Sequence, residues 1–304
     1  GLTEQIFTTR EHEAQLSFSI VVYPLAGGEK ADQVVTESVR EVRRLSEKNG
    51  NQLSVLGSAA QASQNEREQT RKAAMVKKAL EDNRLKLAYQ SIASLEGDSR
   101  QHFDVLVRMM DENGKELHAS EFLPAAEKFG LMRNIDRWVL ARSLALVAKR
   151  AAGADAPSLF VKVSEDSLRD AEAYVKWVSE LFKAYPLKHE EFVFEIPEAV
   201  MQNHVRKAKG ITLALGNLGA GIAIDHFGMS THSVQMLEQL SKISYVKFHA
   251  SFTQKFNDKE AQRRLTHLVE IAKQKKIKTI VSHVEDANVM ARLWQIGVNY
   301  IQGY

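Results

Sequence analysis

The amino-acid sequence predicts an α/β protein dominated by a TIM-like (β/α)8 barrel, on three observations. From Leu85 onward, short apolar runs alternate with helical stretches, giving about eight strands over roughly 220 residues, the repeat of such a barrel. Most of those runs end in a polar or charged residue, and the C-terminal strand ends are where a barrel carries its site. No glycine-rich phosphate loop follows the first strand, which ranks a doubly wound open sheet second.

Taken in order, the stretch Ala14 to Pro24 alternates and then runs apolar through Leu16-Ser17-Phe18-Ser19-Ile20-Val21-Val22-Tyr23, which predicts a strand. Gly27-Gly28 predicts a turn, and Val34, Val35, Val39, Val42 and Leu45 at helical spacing predict a helix from Ala31 to about Lys48. Asn49-Gly50-Asn51 signals another turn before a short strand, Gln52–Leu56. A strand, a helix and a strand bury too little to stand alone, so residues 1–57 are expected to be the end of a domain that begins further upstream. The opening Gly-Leu-Thr and the stop just past the strand-like Tyr300-Ile301 fit a piece of a longer protein. Residues 58–83 predict a connection, with a linker at Ala59 to Asn65 and an amphipathic helix at Glu66 to Asp82.

Residues 84–304 hold the barrel pattern. Strands are expected at Leu85–Ile92, Phe103–Met109, Leu159–Val163, Phe192–Ile196, Ile222–Asp225, Tyr245–Phe248, Lys278–Ser282 and Tyr300–Ile301. Helical stretches between them include Tyr174–Ala184, Glu198–Ala214, His232–Leu240, Lys259–Lys273 and Ala287–Gln295.

The bulk properties narrow the function classes. The 304 residues are 44% hydrophobic and 26% charged, an ordinary globular composition, with room for one large barrel and an appendage. A net charge of +3 provides no global field for duplex nucleic acid. The absence of cysteine excludes disulfides, zinc ribbons and thiol catalysis, and fits a reducing compartment such as the cytoplasm. No apolar run is long enough to cross a bilayer, and there is no signal-peptide pattern.

The strand ends assemble a ring: Gln90, Asp104 and Arg108, Lys162, Glu195, Asp225 with His226, Lys247 with His249, Ser282 with His283 and Glu285, and Gln302. One polar strand terminus is usually just solvated; eight in register mark a binding site. Its chemistry is mixed. Arg108, Lys162 and Lys247 suit phosphate groups, whereas Asp104, Glu195, Asp225 and Glu285 suit Mg²⁺ or the lysines themselves, in which case no metal is held.

Ordered motifs over residues 85–304 resemble the EAL domain, a cyclic-di-GMP phosphodiesterase and receptor fold. Tyr89-Gln90-Ser91-Ile92 stands for the family's YQPI, Asp104-Val105-Leu106-Val107-Arg108 for EALLR, and Phe122-Leu123-Pro124-Ala125-Ala126-Glu127 for FIPLAE. Ile135-Asp136-Arg137-Trp138-Val139-Leu140 is intact. Phe194-Glu195-Ile196-Pro197-Glu198 stands for LEITE, Asp225-His226-Phe227-Gly228 for DDFG, Lys247-Phe248-His249 for KID, and Ser282-His283-Val284-Glu285 for EGVE. The N-terminal segment is similar to the last strand–helix–strand of a GGDEF domain, whose signature loop lies outside the chain.

The resemblance implies two divalent ions in active members, and the departures fall on their ligands. The EAL acid is Asp104, an asparagine is Lys162, the second DDFG aspartate is His226, the KID acid is His249 and the EGVE acid is Ser282; only Glu195 and Asp225 stand unchanged. Loss of these carboxylates implies a degenerate phosphodiesterase with no catalytic residues, no metal and no cofactor. The ligand-holding positions implied by the family are Gln90, Asp104, Leu106, Arg108, Phe122, Asp136, Lys162, Glu195, Asp225, Lys247, His283, Glu285 and Gln302. Among them Arg108 would meet a phosphate, Asp136 a guanine edge, and His283 would stack on a guanine. Within the family the likeness is to non-catalytic regulators of type IV pilus assembly and twitching motility, which implies a PilZ-domain partner and the pilus machinery. Two other readings are a mixed-ligand phosphodiesterase on Asp225, His226, His249 and Glu195 that favours Mn²⁺ or Zn²⁺, and a scaffold without nucleotide.

Overall fold

The computed structural model describes residues 6–8, 13–15, 18–25, 30–47, 52–56, 59–149, 156–185, 191–254, 256 and 258–303. The chain divides into two compact units, Gly1–Lys72 and Ala73–Tyr304.

In the first unit, β1 (Ile6–Thr8) pairs antiparallel with β2 (Glu13–Gln15), and β3 (Ile20–Val22) pairs parallel with β4 (Leu53–Val55). The parallel pair requires a crossover, and α1 (Ala31–Glu47) supplies it. Glu41 ties α1 to β4: it takes a bidentate pair from Arg44 on the same helix and a 2.9 Å hydrogen bond from Ser54 on β4. The single strand expected from Ala14 to Pro24 is therefore two elements with different partners. The two predicted turns, Gly27-Gly28 and Asn49-Gly50-Asn51, lie outside the described residues. The predicted linker is a correction: α2 runs without interruption from Ala59 to Glu81. Its opening Ala-Ala-Gln-Ala contains strong helix formers and no breaker, so the polar stretch there is helix rather than loop.

In the second unit, eight strands close a barrel: β5 (Leu85–Ser94), β6 (His102–Met110), β8 (Ser158–Lys162), β9 (Phe192–Pro197), β10 (Gly221–Phe227), β11 (Tyr245–Phe248), β12 (Lys278–Ser282) and β13 (Tyr300–Gln302). β7 (Glu116–His118) is an appended hairpin strand on β6. The strands from β6 round to β13 pair in parallel, but β5 is antiparallel to both β6 and β13. The reason is the connection. Residues 95–101 are too short a link for a crossover helix, so β5 and β6 form a hairpin.

The helices follow the later strands. They are α3 (Ala119–Lys128), α4 (Met132–Ala148), α5 (Glu165–Arg169), α6 (Ala171–Ala184), α7 (Glu198–Asn203), α8 (Val205–Asn217), α9 (Ser233–Gln239), α10 (Ser251–Gln254), α11 (Lys259–Gln274) and α12 (Ala287–Gln295). The one helix expected over Glu198–Ala214 is broken at His204, whose φ of −133° and ψ of 41° leave the helical region. Outward-facing strand residues pack under these helices with the main core, which includes Val76 and Ala79 of α2. Inward-facing residues make a second, smaller cluster of Ile92, Phe160, Val193, Ala223, Tyr245, Ile280 and Tyr300. This layer plugs the lower barrel, with the Phe160 and Tyr245 rings 5.0 Å apart in an edge-on contact. Below it the buried His102 ring lies 4.9 Å from Tyr300 and 3.1 Å from the Asp98 carboxylate.

Candidate functional site

Side chains alternate along a strand, so the residue two positions beyond each plug residue also points inward, one layer higher. Phe160 is followed in this way by Lys162, Val193 by Glu195, Ala223 by Asp225, Tyr245 by Lys247, Ile280 by Ser282, and Tyr300 by Gln302. On the antiparallel β5 the order is reversed, and Gln90 precedes Ile92. On β6, Asp104 lies opposite Gln90. Eight residues of the polar ring, Gln90, Asp104, Lys162, Glu195, Asp225, Lys247, Ser282 and Gln302, thus form the upper interior layer of the barrel.

Seven of the expected residues form one hydrogen-bonded network. Lys247 Nζ donates to Asp104 Oδ2 at 2.7 Å and to Glu195 Oε1 at 3.2 Å. Lys162 Nζ donates to Glu195 Oε2 at 2.9 Å and Asp225 Oδ2 at 3.1 Å, and lies 4.0 Å from Asp104 Oδ2. Gln302 Nε2 donates to Asp104 Oδ2 at 3.1 Å and to Gln90 Oε1 at 3.0 Å. Asp104, Glu195, Asp225, Lys247 and Gln302 are buried, whereas the Lys162 side chain is 48% exposed at the mouth. Burial disfavours every charge here, and the partners decide which way each group moves. Burial pushes Asp104 and Asp225 up, but the two lysines outweigh it and hold both carboxyls below their ordinary range. Glu195 goes the other way, raised by burial and by Asp104 despite its two ammonium partners. Both lysines are held above their ordinary value, since the surrounding carboxylates outweigh the cost of burial.

A pair of divalent ions does not fit this arrangement. Mg²⁺ takes oxygen ligands at about 2.0–2.1 Å, and an ammonium has no lone pair to offer. The space between Glu195 and Asp225 holds Lys162 Nζ, and that between Asp104 and Glu195 holds Lys247 Nζ. Among the described residues no group of three or more histidine or acidic side chains is arranged to hold a metal ion. One carboxylate oxygen of the network, Asp104 Oδ1, is buried with no hydrogen-bond partner.

The remaining expected residues surround the network without joining it. Arg108 lies half-buried higher on β6, donating to the Val107 carbonyl at 3.1 Å, with Glu116 of β7 3.8 Å from its Nε. Leu106, also on β6, is half-buried; Phe122 of α3 is fully buried in the main core. Asp136 is buried on α4, and its Oδ2 accepts from Ser164 N at 2.8 Å, Ser164 Oγ at 2.6 Å and Ser167 Oγ at 2.6 Å. It therefore anchors the turn that follows Lys162. Burial pushes its carboxyl up to about 6, against the lowering effect of those hydrogen bonds. His283 and Glu285 are exposed on the loop after β12. His283 has φ of 60°, in the left-handed region where histidine is tolerated better than most side chains. The His226 ring, on a residue with φ of 55°, packs edge-on against His249 at 5.4 Å. Burial and His226 lower the pKa of His249.

Reasoning from strand ends passed over Glu198. It is buried at the start of α7, and its Oε2 accepts from Met229 N at 3.1 Å, holding the loop that follows Asp225. The signal was present, since Glu198 is the second acid of the Glu195–Glu198 motif. Gly303 is a second such position. A Cβ there would lie 1.8 Å from the Val284 carbonyl oxygen, and Val284 N donates to the Gln302 carbonyl at 3.1 Å. Only glycine lets the end of β13 sit against the loop that carries His283 and Glu285.

A closed barrel with its charged groups in the upper layer is shared by many enzymes and receptors, and comparison with known proteins identifies the branch. The EAL domain profile matches residues 73–304, and the chain belongs to the EAL domain family. The crystal structure of the FimX EAL domain from Pseudomonas aeruginosa bound to c-di-GMP superposes with a TM-score of 0.71 at 37% identity, over 77% of this chain and 93% of that one. The cyclic di-GMP phosphodiesterase PdeF of Escherichia coli is 29% identical over 230 residues, which are 75% of this chain but 30% of PdeF. The S helix-GGDEF-EAL structure of Vibrio cholerae LapD matches over 93% of this chain and 67% of its own, with a TM-score of 0.71 at 19% identity, a likeness of fold.

Proposed function

We propose that this barrel is a catalytically inactive receptor that binds cyclic-di-GMP without metal. The observation that carries the reading is the placement of the Lys162 ammonium between Glu195 and Asp225, at the position where the resemblance implies a metal-binding asparagine. Without metal there is no activated water to attack the phosphodiester. The carboxylates are neutralised from within the chain, so the site is preorganised without an ion. The P. aeruginosa FimX EAL domain, with c-di-GMP bound in its crystal structure, supports the choice of ligand. In this reading Arg108 grips a phosphate from the rim, and Asp136 accepts from a guanine edge through Oδ1, its Oδ2 being taken by Ser164 and Ser167. His283 and Glu285 close over the second base from the loop held by Gly303.

Residues 1–57 form a GGDEF-like segment, residues 58–83 the linking helix, and residues 84–304 the receptor, in the cytoplasm. Its output runs to a PilZ-domain protein and the type IV pilus machinery, in line with the FimX likeness. The test is product formation: cyclic-di-GMP incubated with the protein in Mg²⁺ or Mn²⁺ is expected to remain intact by chromatography. Linear pGpG that appears with Mn²⁺ and vanishes in Asp225→Ala would return the chain to the enzymes.

A further inference from the structure

The antiparallel first strand has a structural consequence on the outside of the barrel. A strand followed by a crossover helix has its outer face covered by that helix; β5 is followed by a hairpin and has none. Its outward Leu87 and Tyr89 instead form one wall of an open groove whose other wall is α4. Trp138, Arg142, Ala145 and Leu146 recur on α4 at helical spacing, with Lys149 at its C-cap, on the flank beside the face that packs into the core. The hollow between them has a volume of about 360 Å³, and a second of about 170 Å³ continues it past Tyr89 and Leu146 to Phe103 and Pro157. From Trp138 to Lys149 the groove runs for roughly 16 Å, three turns of helix.

We infer that this groove docks an acidic amphipathic segment of a partner protein. Its lining has apolar anchors, with Tyr89 41% and Leu146 44% exposed, and three cations, Lys86, Arg142 and Lys149. It has no carboxylate, and none of the three cations makes an ion pair among the described residues. An apolar floor flanked by unpaired cations, Lys86 on the β5 side and Arg142 and Lys149 on the α4 side, complements a helix with apolar residues on one face and glutamates beside them. Its concave shape fits a helix and opposes a flat lipid surface, which exposed aromatics and lysines alone would suit. The groove lies on the outer face of the barrel, apart from the polar layer inside it, with Lys86 in register with Arg108 at its upper end.

A labelled synthetic helical peptide of about fifteen residues, with leucine and tryptophan on one face and glutamate elsewhere, is the probe; its counterpart carries lysine for every glutamate. Fluorescence polarisation is expected to show saturable binding of the acidic peptide and none of the basic one. The doubly reversed variant Arg142→Glu with Lys149→Glu should weaken the acidic peptide about tenfold or more, and Leu146→Asp should weaken it as well, with melting temperature unchanged. Equal binding of both peptides, or binding indifferent to the reversal, overturns the inference. So would phosphatidylserine vesicles that capture the protein through the same residues, or self-association in the ultracentrifuge that the reversal abolishes, since these assign the groove to a membrane or a second copy. Titration of cyclic-di-GMP on the same variants keeps the two proposals apart, because either can fail while the other stands.

Discussion

Lys162 and Lys247 look alike in the sequence and differ in cost. Lys247 is buried and bonded to Asp104 and Glu195, so Lys247→Met leaves two buried carboxylates short of a partner and should destabilise the fold by about 3–5 kcal/mol. Lys162 bonds the buried Glu195 and Asp225 from a half-exposed position where water can take its place, so its removal should cost less than Lys247→Met in a denaturant titration. Lys162→Asn has a further expected outcome, because it replaces the competing cation with an oxygen ligand between Glu195 and Asp225. The variant should melt at a higher temperature in millimolar Mn²⁺, whereas the parent should not respond. Asp136 sets a pH dependence of its own. Its carboxyl is raised from 3.8 to about 6, so the folded state binds the extra proton between those values. The contribution of Asp136 to stability is therefore highest below about pH 4 and falls by about 3 kcal/mol as the pH rises to about 6. Stability measured against Asp136→Asn should lose that amount across this window; a difference flat with pH would show that its hydrogen bonds to Ser164 and Ser167 offset burial in full.

At the scale of elements, the strands and their inward residues could be read because a barrel strand has two independent signatures, an apolar run and a polar residue at its upper end. Lys162, Glu195, Asp225 and Lys247 were found in this way. Direction was not legible, since the apolar run of β5 is the same read either way, and only the short link to β6 makes it antiparallel. Nor was the break at His204, which has neither glycine nor proline to mark it. The pairing of Lys247 with Asp104 joins residues on opposite sides of the barrel, and closure, not local sequence, brings them together. Gly303 is where an element-level prediction is sharpest. Gly303→Ala should displace the end of β13 from the Val284 carbonyl, lower stability by about 1–3 kcal/mol and loosen the loop carrying His283 and Glu285. Hydrogen exchange at Val284 reads this directly, through its bond to Gln302.

On the scale of the whole molecule, the barrel is a two-layer interior. An aromatic and aliphatic plug closes the lower half, and above it three carboxylates are balanced by two ammonium groups and a glutamine. The FimX and PdeF likenesses bracket the possible outcomes, a c-di-GMP complex in one and a named phosphodiesterase in the other. In the proposed reading the Lys162 ammonium takes the electrostatic place of metal ions between Glu195 and Asp225. Calorimetric titration of cyclic-di-GMP into the protein in EDTA, repeated in excess Mg²⁺, tests it most directly. Saturable binding in EDTA with an affinity the same within about twofold in Mg²⁺ is the predicted result. Binding that appears only when the metal is added would contradict it.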